Sequence, residues 1–199
     1  PDFVESVTDD EDDQELLEDI AGACRLIYRN IERASHLIQR FKTISVHQMT
    51  EALEKVSLVQ TIEEVISLYQ IQSREDGLEI KVYNQLEEND DWTGYPGYLT
   101  QVILNFITNI KVHAYDHGGK IDITISEQSP ESSFIIRVRD YGKGISQEKI
   151  GKIFEAFYTT ARNKGGTGLG LSIVYNIVTG ALEGEVVVES ELDKGTTFV

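Results

Sequence analysis

Between Gly165 and Leu171 the chain reads Gly-Gly-Thr-Gly-Leu-Gly-Leu, four glycines in seven residues. An apolar run, Ser172-Ile173-Val174-Tyr175-Asn176-Ile177-Val178, follows directly. Glycine weakens the interior of a helix or strand, so here backbone shape matters more than regular pairing. Two explanations fit. One is a flexible joint; the other is an anion cradle, where bare N–H groups and a helix N-terminus meet phosphate oxygens. A glycine run alone does not choose between them.

The length of 199 residues accommodates one full domain and an appendage. Hydrophobic residues make up 40%, enough for an ordinary core, and no apolar window reaches the length of a membrane span. The N-terminus is acidic, unlike a secretory leader. A single cysteine, Cys24, excludes an internal disulfide and fits a reducing, cytoplasmic setting. The net charge of −16 excludes a general nucleic-acid binder but leaves room for a local basic patch. The first twenty residues contain no Lys or Arg and read as a solvated acidic lead-in.

From about Asp13 a helix is expected, with acidic residues at its positive end. Leu17, Ile20, Cys24, Ile27, Ile31, Ala34, Ile38 and Phe41 are spaced alternately three and four apart, the heptad stripe of a bundle helix. Such a stripe docks on its own domain or on another chain. Its persistence favours another chain, making Leu17–Phe41 a homodimerisation helix.

After Met49 the pattern changes. Lys55–Gln60 alternates like a strand, and Thr61-Ile62-Glu63-Glu64 resembles a capping box opening a helix to about Gln72. Gly77 breaks it, and Leu78–Tyr83 reads as a strand. Tyr95-Pro96-Gly97 opens a helix to about Tyr115 whose core face is Leu99, Val102, Ile103, Phe106, Ile107 and Ile110. Lys120–Ser126 and Phe134–Arg139 read as strands joined by the "SPESS" loop. Asp140–Gly144 is a turn and Gln147–Ile153 a short helix. The helix after the glycine run ends near Leu182, Gly184–Ser190 is a strand, and Thr196–Val199 begins another after a turn. The expected fold class is α+β: an α/β sandwich with a mixed sheet covered by helices on one side, plus an N-terminal long bundle-forming helix. Residues 1–50 and 51–199 form its two parts.

Four places could carry chemistry. Asn105 and Asn109 lie four apart on one helix face, with His113 a turn further on. Neutral amide oxygens suit Mg²⁺ shared with phosphates, although two surface Asn are the plainer explanation. Asp140-Tyr141-Gly142-Lys143-Gly144 ends a strand with a carboxylate able to accept from an exocyclic amine. Phe154-Glu155-Ala156-Phe157-Tyr158-Thr159-Thr160 is an aromatic loop. Gly195-Thr196-Thr197-Phe198 is a turn entering a strand. Each is weak alone.

In order, they read Asn-x-x-x-Asn, Asp-x-Gly-x-Gly, Phe-x-x-Phe, Gly-x-Gly-x-Gly and Gly-Thr-x-Phe. That series, over roughly Glu51–Val199, resembles the ATP-binding domain shared by sensor histidine kinases, DNA gyrase B subunits and mismatch-repair ATPases. By this resemblance the glycine run is the phosphate-facing edge of a nucleotide lid, leading into a helix N-terminus. Hydrolysing members carry Glu one helical turn before the metal-binding Asn, whereas this chain has Asn105, which cannot deprotonate water. That points to the sensor histidine kinases, as does the Phe154–Phe157 box. Arg33–Gln48 is similar to the second helix of their dimerisation and phosphotransfer domain.

What the resemblance implies follows residue by residue. Asn109 holds Mg²⁺, with Asn105 supporting metal or phosphates. Asp140 and Thr196 read the adenine, Gly142 and Gly144 line its pocket, and His113 lies beside base or sugar. Gly166, Gly168 and Gly170 face the phosphates, with Thr167, Leu169 and Leu171 between and after them. Phe157 and Thr160 border the nucleotide. Tyr158–Lys164 forms a mobile lid, with Arg162 or Lys164 neutralising phosphate charge. The cofactors are ATP and Mg²⁺, and the partners a second copy of the chain and a response-regulator receiver domain. No nucleic acid or direct membrane insertion is implied; the location is cytoplasmic, compatible with the inner part of a membrane-bound sensor.

The chain also departs from the pattern. The family's acceptor His is followed by an acidic residue, and neither His36, His47, His113 nor His117 is. The acceptor is therefore expected upstream of Pro1, and the last strand stops early, as in a fragment that does not autophosphorylate alone. Ile110 stands where Ala is usual, Val112 where a polar or basic residue is common, Ala156 in place of Pro, and Ala161 where a basic residue is frequent. These leave a second expectation, a degenerate signalling module that dimerises but binds nucleotide weakly.

Overall fold

The computed structural model describes residues 52–87, 89–128, 133–162 and 166–199, with the helical positions Ile20, Gly22, Ala23 and Ile27. The rest of the expected heptad helix, Lys164 and most of the "SPESS" loop lie outside the described residues. The chain divides into two units, Pro1–Val46 and His47–Val199. The sheet and its helices all belong to the second.

A short strand, β1 (Glu54–Ser57), leads straight into helix α1 (Leu58–Glu75). The helix starts earlier than the Thr61 box suggests, because the cap is Ser57. Its Oγ accepts the Gln60 N–H at 3.0 Å, and Thr61 merely returns its hydroxyl to the Ser57 carbonyl at 2.7 Å. Asp90 reinforces this end: it accepts from the Ser57 hydroxyl and, through its backbone carbonyl, from Leu58 N–H. The buried positions Leu58, Ile62, Val65 and Ile66 confirm a helical period from Leu58 onward. Strand β3 (Asp91–Gly94), too short and polar to register in the sequence, pairs antiparallel with β1.

The main sheet has order β2-β4-β5-β7-β6, with β2 (Leu78–Asn84), β4 (Gly119–Gln128), β5 (Ser133–Asp140), β6 (Val188–Glu191) and β7 (Gly195–Phe198). β2 runs parallel to β4 and the other pairs are antiparallel, giving the expected mixed sheet. Alternation sorts its faces. Ile121, Ile123, Ile125 and Val138 are fully buried on one side, while Asp122, paired with Lys120, takes the other. β6 starts later than the expected Gly184, although Val187 and Val199 still exchange both backbone hydrogen bonds at 2.8 Å.

Helix α2 (Pro96–His113) begins with Pro at its first turn, and all six anticipated core residues are buried. Phe106 stacks on Phe198 of β7 with centroids 4.7 Å apart, which joins helix layer to sheet. α1 packs on β2 and α2, and α4 (Gly170–Asn176) packs on α2. The short helix is α3 (Gln147–Ile150), and α4 passes into a π turn at Ile177–Ala181 rather than running on as α-helix. The observed class is α+β, with helices over one face of a mixed sheet.

Candidate nucleotide site

The spacing of four places Asn105, Asn109 and His113 in one row along α2, each half-buried beside the apolar stripe. Lys111 and His113 occupy the last turn, where positive charge is favourable. The start of α4 faces the same row: a Cβ on Gly170 would lie 3.6 Å from Asn105 Oδ1. The fold thus brings the paired asparagines to the glycine-rich helix entry.

Asp140 ends β5 almost fully enclosed, 1% exposed. Its Oδ1 accepts the Gly142 N–H at 2.9 Å, and Thr196 donates to it from backbone and hydroxyl. Burial raises its pKa above the ordinary aspartate value, with those donors opposing. Thr196, 4% exposed, extends the network to Ser190 with 2.9 Å between hydroxyl oxygens. A carboxylate has about four acceptor sites, so Asp140 retains capacity for an amine.

Gly142 lies against the Ala114 carbonyl at the end of α2. Gly144 has φ +66°, and a Cβ there would sit 2.0 Å from the Glu191 carbonyl oxygen, so glycine is required twice over. Tyr115, absent from the anticipated residues, holds this turn from outside. Its hydroxyl donates to the Lys120 carbonyl at 2.6 Å and accepts the Tyr141 N–H at 2.8 Å. Nothing in the sequence marks a tyrosine after a helix as a turn support.

A cleft of about 140 Å³ opens between these elements. Of the anticipated residues it gathers Asn109, His113, Gly144, Thr160 and Leu171. Asn105, Asp140, Gly142 and Thr196 are not in its lining. Sequence reasoning missed five of its wall residues: Ile145, Ser146, Lys149, Ile153 and Leu192. Ile145 could have been found, since it directly follows the glycine turn.

The aromatic segment closes on the glycine run. Phe157 N–H donates to the Gly168 carbonyl at 2.8 Å, and Gly166 N–H to that of Ala161 at 3.0 Å. Gly168 takes φ +71°, while Phe157 takes φ +67° and exposes 61% of its surface rather than lining the cleft. Thr160 Oγ1 lies 3.2 Å from His113 Nδ1. Leu169 caps α4, its N–H reaching Thr167 Oγ1 at 3.4 Å. Arg162 is exposed, and two departures from the pattern find an explanation in burial: Ile110 is 1% and Ala161 8% exposed.

A half-buried amide row beside a glycine-rich helix entry, with an enclosed carboxylate at the end of β5, is the arrangement of a nucleotide-binding domain. Residues 94–199 match the family described as histidine kinase-, DNA gyrase B-, and HSP90-like ATPase. The chain belongs to that family.

Within it, relatives narrow the class. The chain is 30% identical to sporulation kinase A of Bacillus subtilis (strain 168) over 173 residues, 87% of this chain and 27% of that protein. It is 34% identical to the autoinducer 2 sensor kinase/phosphatase LuxQ of Vibrio vulnificus (strain YJ016) over 146 residues, 69% of this chain and 17% of that protein. Among solved structures, the catalytic domain of histidine kinase ThkA superposes with TM-score 0.62 and 27% identity, covering 74% of this chain and 92% of that one. Full-length ShkA in complex with AMPPNP gives 0.67 and 26%, covering 82% and 35%. The chain spans 27% of the length of sporulation kinase A and 17% of that of LuxQ, and its fold is that of a histidine kinase ATP-binding domain.

Proposed function

We propose that this chain is the ATP-dependent kinase module of a two-component protein-histidine kinase. It binds Mg-ATP and transfers the γ-phosphoryl group to a histidine on a dimerisation helix, from which the group passes to a response-regulator aspartate. The observation that carries this reading is the convergence of Asn109, His113, Gly144 and Thr160 on one cleft. The AMPPNP complex of the similar ShkA supports a nucleotide as its occupant.

The donor set fits magnesium. Among the described residues no group of three His, Cys, Asp or Glu offers an all-protein cage, which suits an ion shared with phosphates. Asn109 would hold it, with Asn105 adjoining, and the ion would neutralise charge on the phosphoryl oxygens. Asp140, braced by Gly142 and Thr196, would accept from the adenine amine. Asn105 offers no base for water, so the chain's residues position and shield the nucleotide while an imidazole supplies the nucleophile.

Residues 1–50 would contribute part of the dimerisation unit. Ile20 and Ile27, two members of the heptad stripe, are 51% and 57% exposed in the single chain, as a stripe reserved for a partner would be. No helix among the described residues is long and apolar enough to cross a membrane.

Calorimetric titration with AMPPNP, with and without Mg²⁺, tests the site. Magnesium-dependent binding, followed by phosphorylation in trans of an added acceptor-helix domain from ATP, is the expected result. No binding under either condition favours the degenerate module, for which the buried Ala161 in place of a cation is the specific ground.

A further inference from the structure

On the nucleotide reading above, the anionic end of the ligand needs a cation on the cleft wall. Acidic residues outnumber basic ones 34 to 18, so most lysines find a carboxylate. Lys55, Lys81, Lys111, Lys120, Lys143 and Lys194 each have one at 2.6–2.9 Å. Among the described residues, Lys149 and Lys152 have none in ion-pair reach. Only Lys149 of these two lines the cleft.

Its backbone is fixed. Lys149 and Ile150 both donate to the Ser146 carbonyl, at 2.9 and 3.2 Å, and Lys152 donates to that of Lys149 at 2.8 Å. The side chain shares the cleft wall with Ile153, four residues on, while Asn109, His113 and Thr160 line the same cleft. The other cations near the site are engaged: Lys111 with Asp76 at 2.6 Å, Lys143 with Asp116 at 2.7 Å, and Arg162 with a partner of its own. Position 112 is Val and position 161 a buried Ala. In a chain of net charge −16, an ammonium without a carboxylate in this cleft is a local reversal of sign, and such a site attracts anions.

We propose that Lys149 binds a phosphate oxygen of the nucleotide, entering from the α3 wall and supplying the charge that Val112 and Ala161 do not. Lysine suits the role as a mobile point charge on a long stem. The step is binding alone; no bond to phosphorus changes.

The test compares the parent chain with Lys149→Gln, Lys149→Arg and Lys152→Gln. Mg-AMPPNP is titrated calorimetrically, and adenosine by NMR shifts at Gly144 and Ile145, which read weak binding. Lys149→Gln should weaken AMPPNP roughly three- to tenfold, the range for an exposed to partly desolvated charged hydrogen bond. Adenosine affinity should not change, Lys149→Arg should restore most of the loss, and Lys152→Gln should have little effect. Equal losses for adenosine and AMPPNP would place Lys149 at the nucleoside, and equal losses for Lys149→Gln and Lys152→Gln would reduce it to general field; either overturns the proposal. A parent that binds neither compound overturns the nucleotide reading itself, a different failure from a parent that binds and a variant that does not differ.

Discussion

Thr160 and His113 meet with Oγ1 3.2 Å from Nδ1, tying the segment after Phe157 to the last turn of α2. Replacing Thr160 with Val removes the tie without changing shape. Trypsin should then cut after the exposed Arg162 faster than in the parent, while global stability falls by only about 0.5–1.5 kcal/mol. Equal cleavage rates would show that other contacts hold the segment.

Tyr115→Phe strikes the turn from outside the cleft. The hydroxyl bridges the Lys120 carbonyl and the Tyr141 N–H, so its loss strands two backbone groups. Chemical denaturation should show a loss of about 1–3 kcal/mol, together with weaker AMPPNP binding because Asp140 and Gly144 flank Tyr141. Unchanged stability would mean that water replaces the bridge at no cost.

Asn109→Ala should abolish the magnesium dependence of nucleotide binding. The residue is half-buried on the cleft wall, and stability should move by no more than about 1 kcal/mol. An AMPPNP affinity that still rises with Mg²⁺ would take Asn109 out of the metal's coordination.

Asp140 separates stability from recognition by pH. Burial raises its carboxyl above the ordinary aspartate value. A group raised on folding contributes stability fully below its unfolded pKa, and that contribution is lost as pH climbs through the raised one. If Asp140 accepts from the adenine amine as proposed, recognition uses its ionised form, and AMPPNP affinity should fall as pH drops through the raised value. Carbon-13 titration of the Asp140 carboxyl locates that range. Asp140→Asn should flatten this limb and weaken binding by about 1–3 kcal/mol; a parent with affinity flat in pH would remove Asp140 from recognition.

Phe198→Ala tests the junction of layers. Phe198 is 1% exposed and stacked on Phe106, so truncation should cost about 3–5 kcal/mol. A smaller loss in urea denaturation would show that α2 collapses onto β7.

Long-period patterns were legible in the sequence, and short or polar elements were not. The stripe from Leu99 to Ile110 announced α2 because six apolar residues repeat over three turns, and Ile121-Asp122-Ile123-Thr124-Ile125 announced β4 by alternation. The four-residue β3 carries no such repeat. Its partner β1 could be seen, but alternation ran on into Gln60 and hid the cap at Ser57. Part of the candidate cleft was legible where spacing fixes a face, as for Asn109 and His113; Asn105, on the same face, is not in its lining. Lys149 and Leu192 reach the cleft through tertiary placement of a short helix and a turn, which no local spacing encodes.

The hydrogen bond from Phe157 N–H to the Gly168 carbonyl clamps together the two ends of the segment between them. With its exits pinned, that segment can lengthen without disturbing the sheet, since doubling a loop costs only about 0.6 kcal/mol in closure entropy. Insertion between Ala161 and Gly166, whose own backbone bond at 3.0 Å closes the inner part of that segment, is therefore a low-cost evolutionary variable that leaves the cleft-lining Tyr158, Thr159 and Thr160 in place.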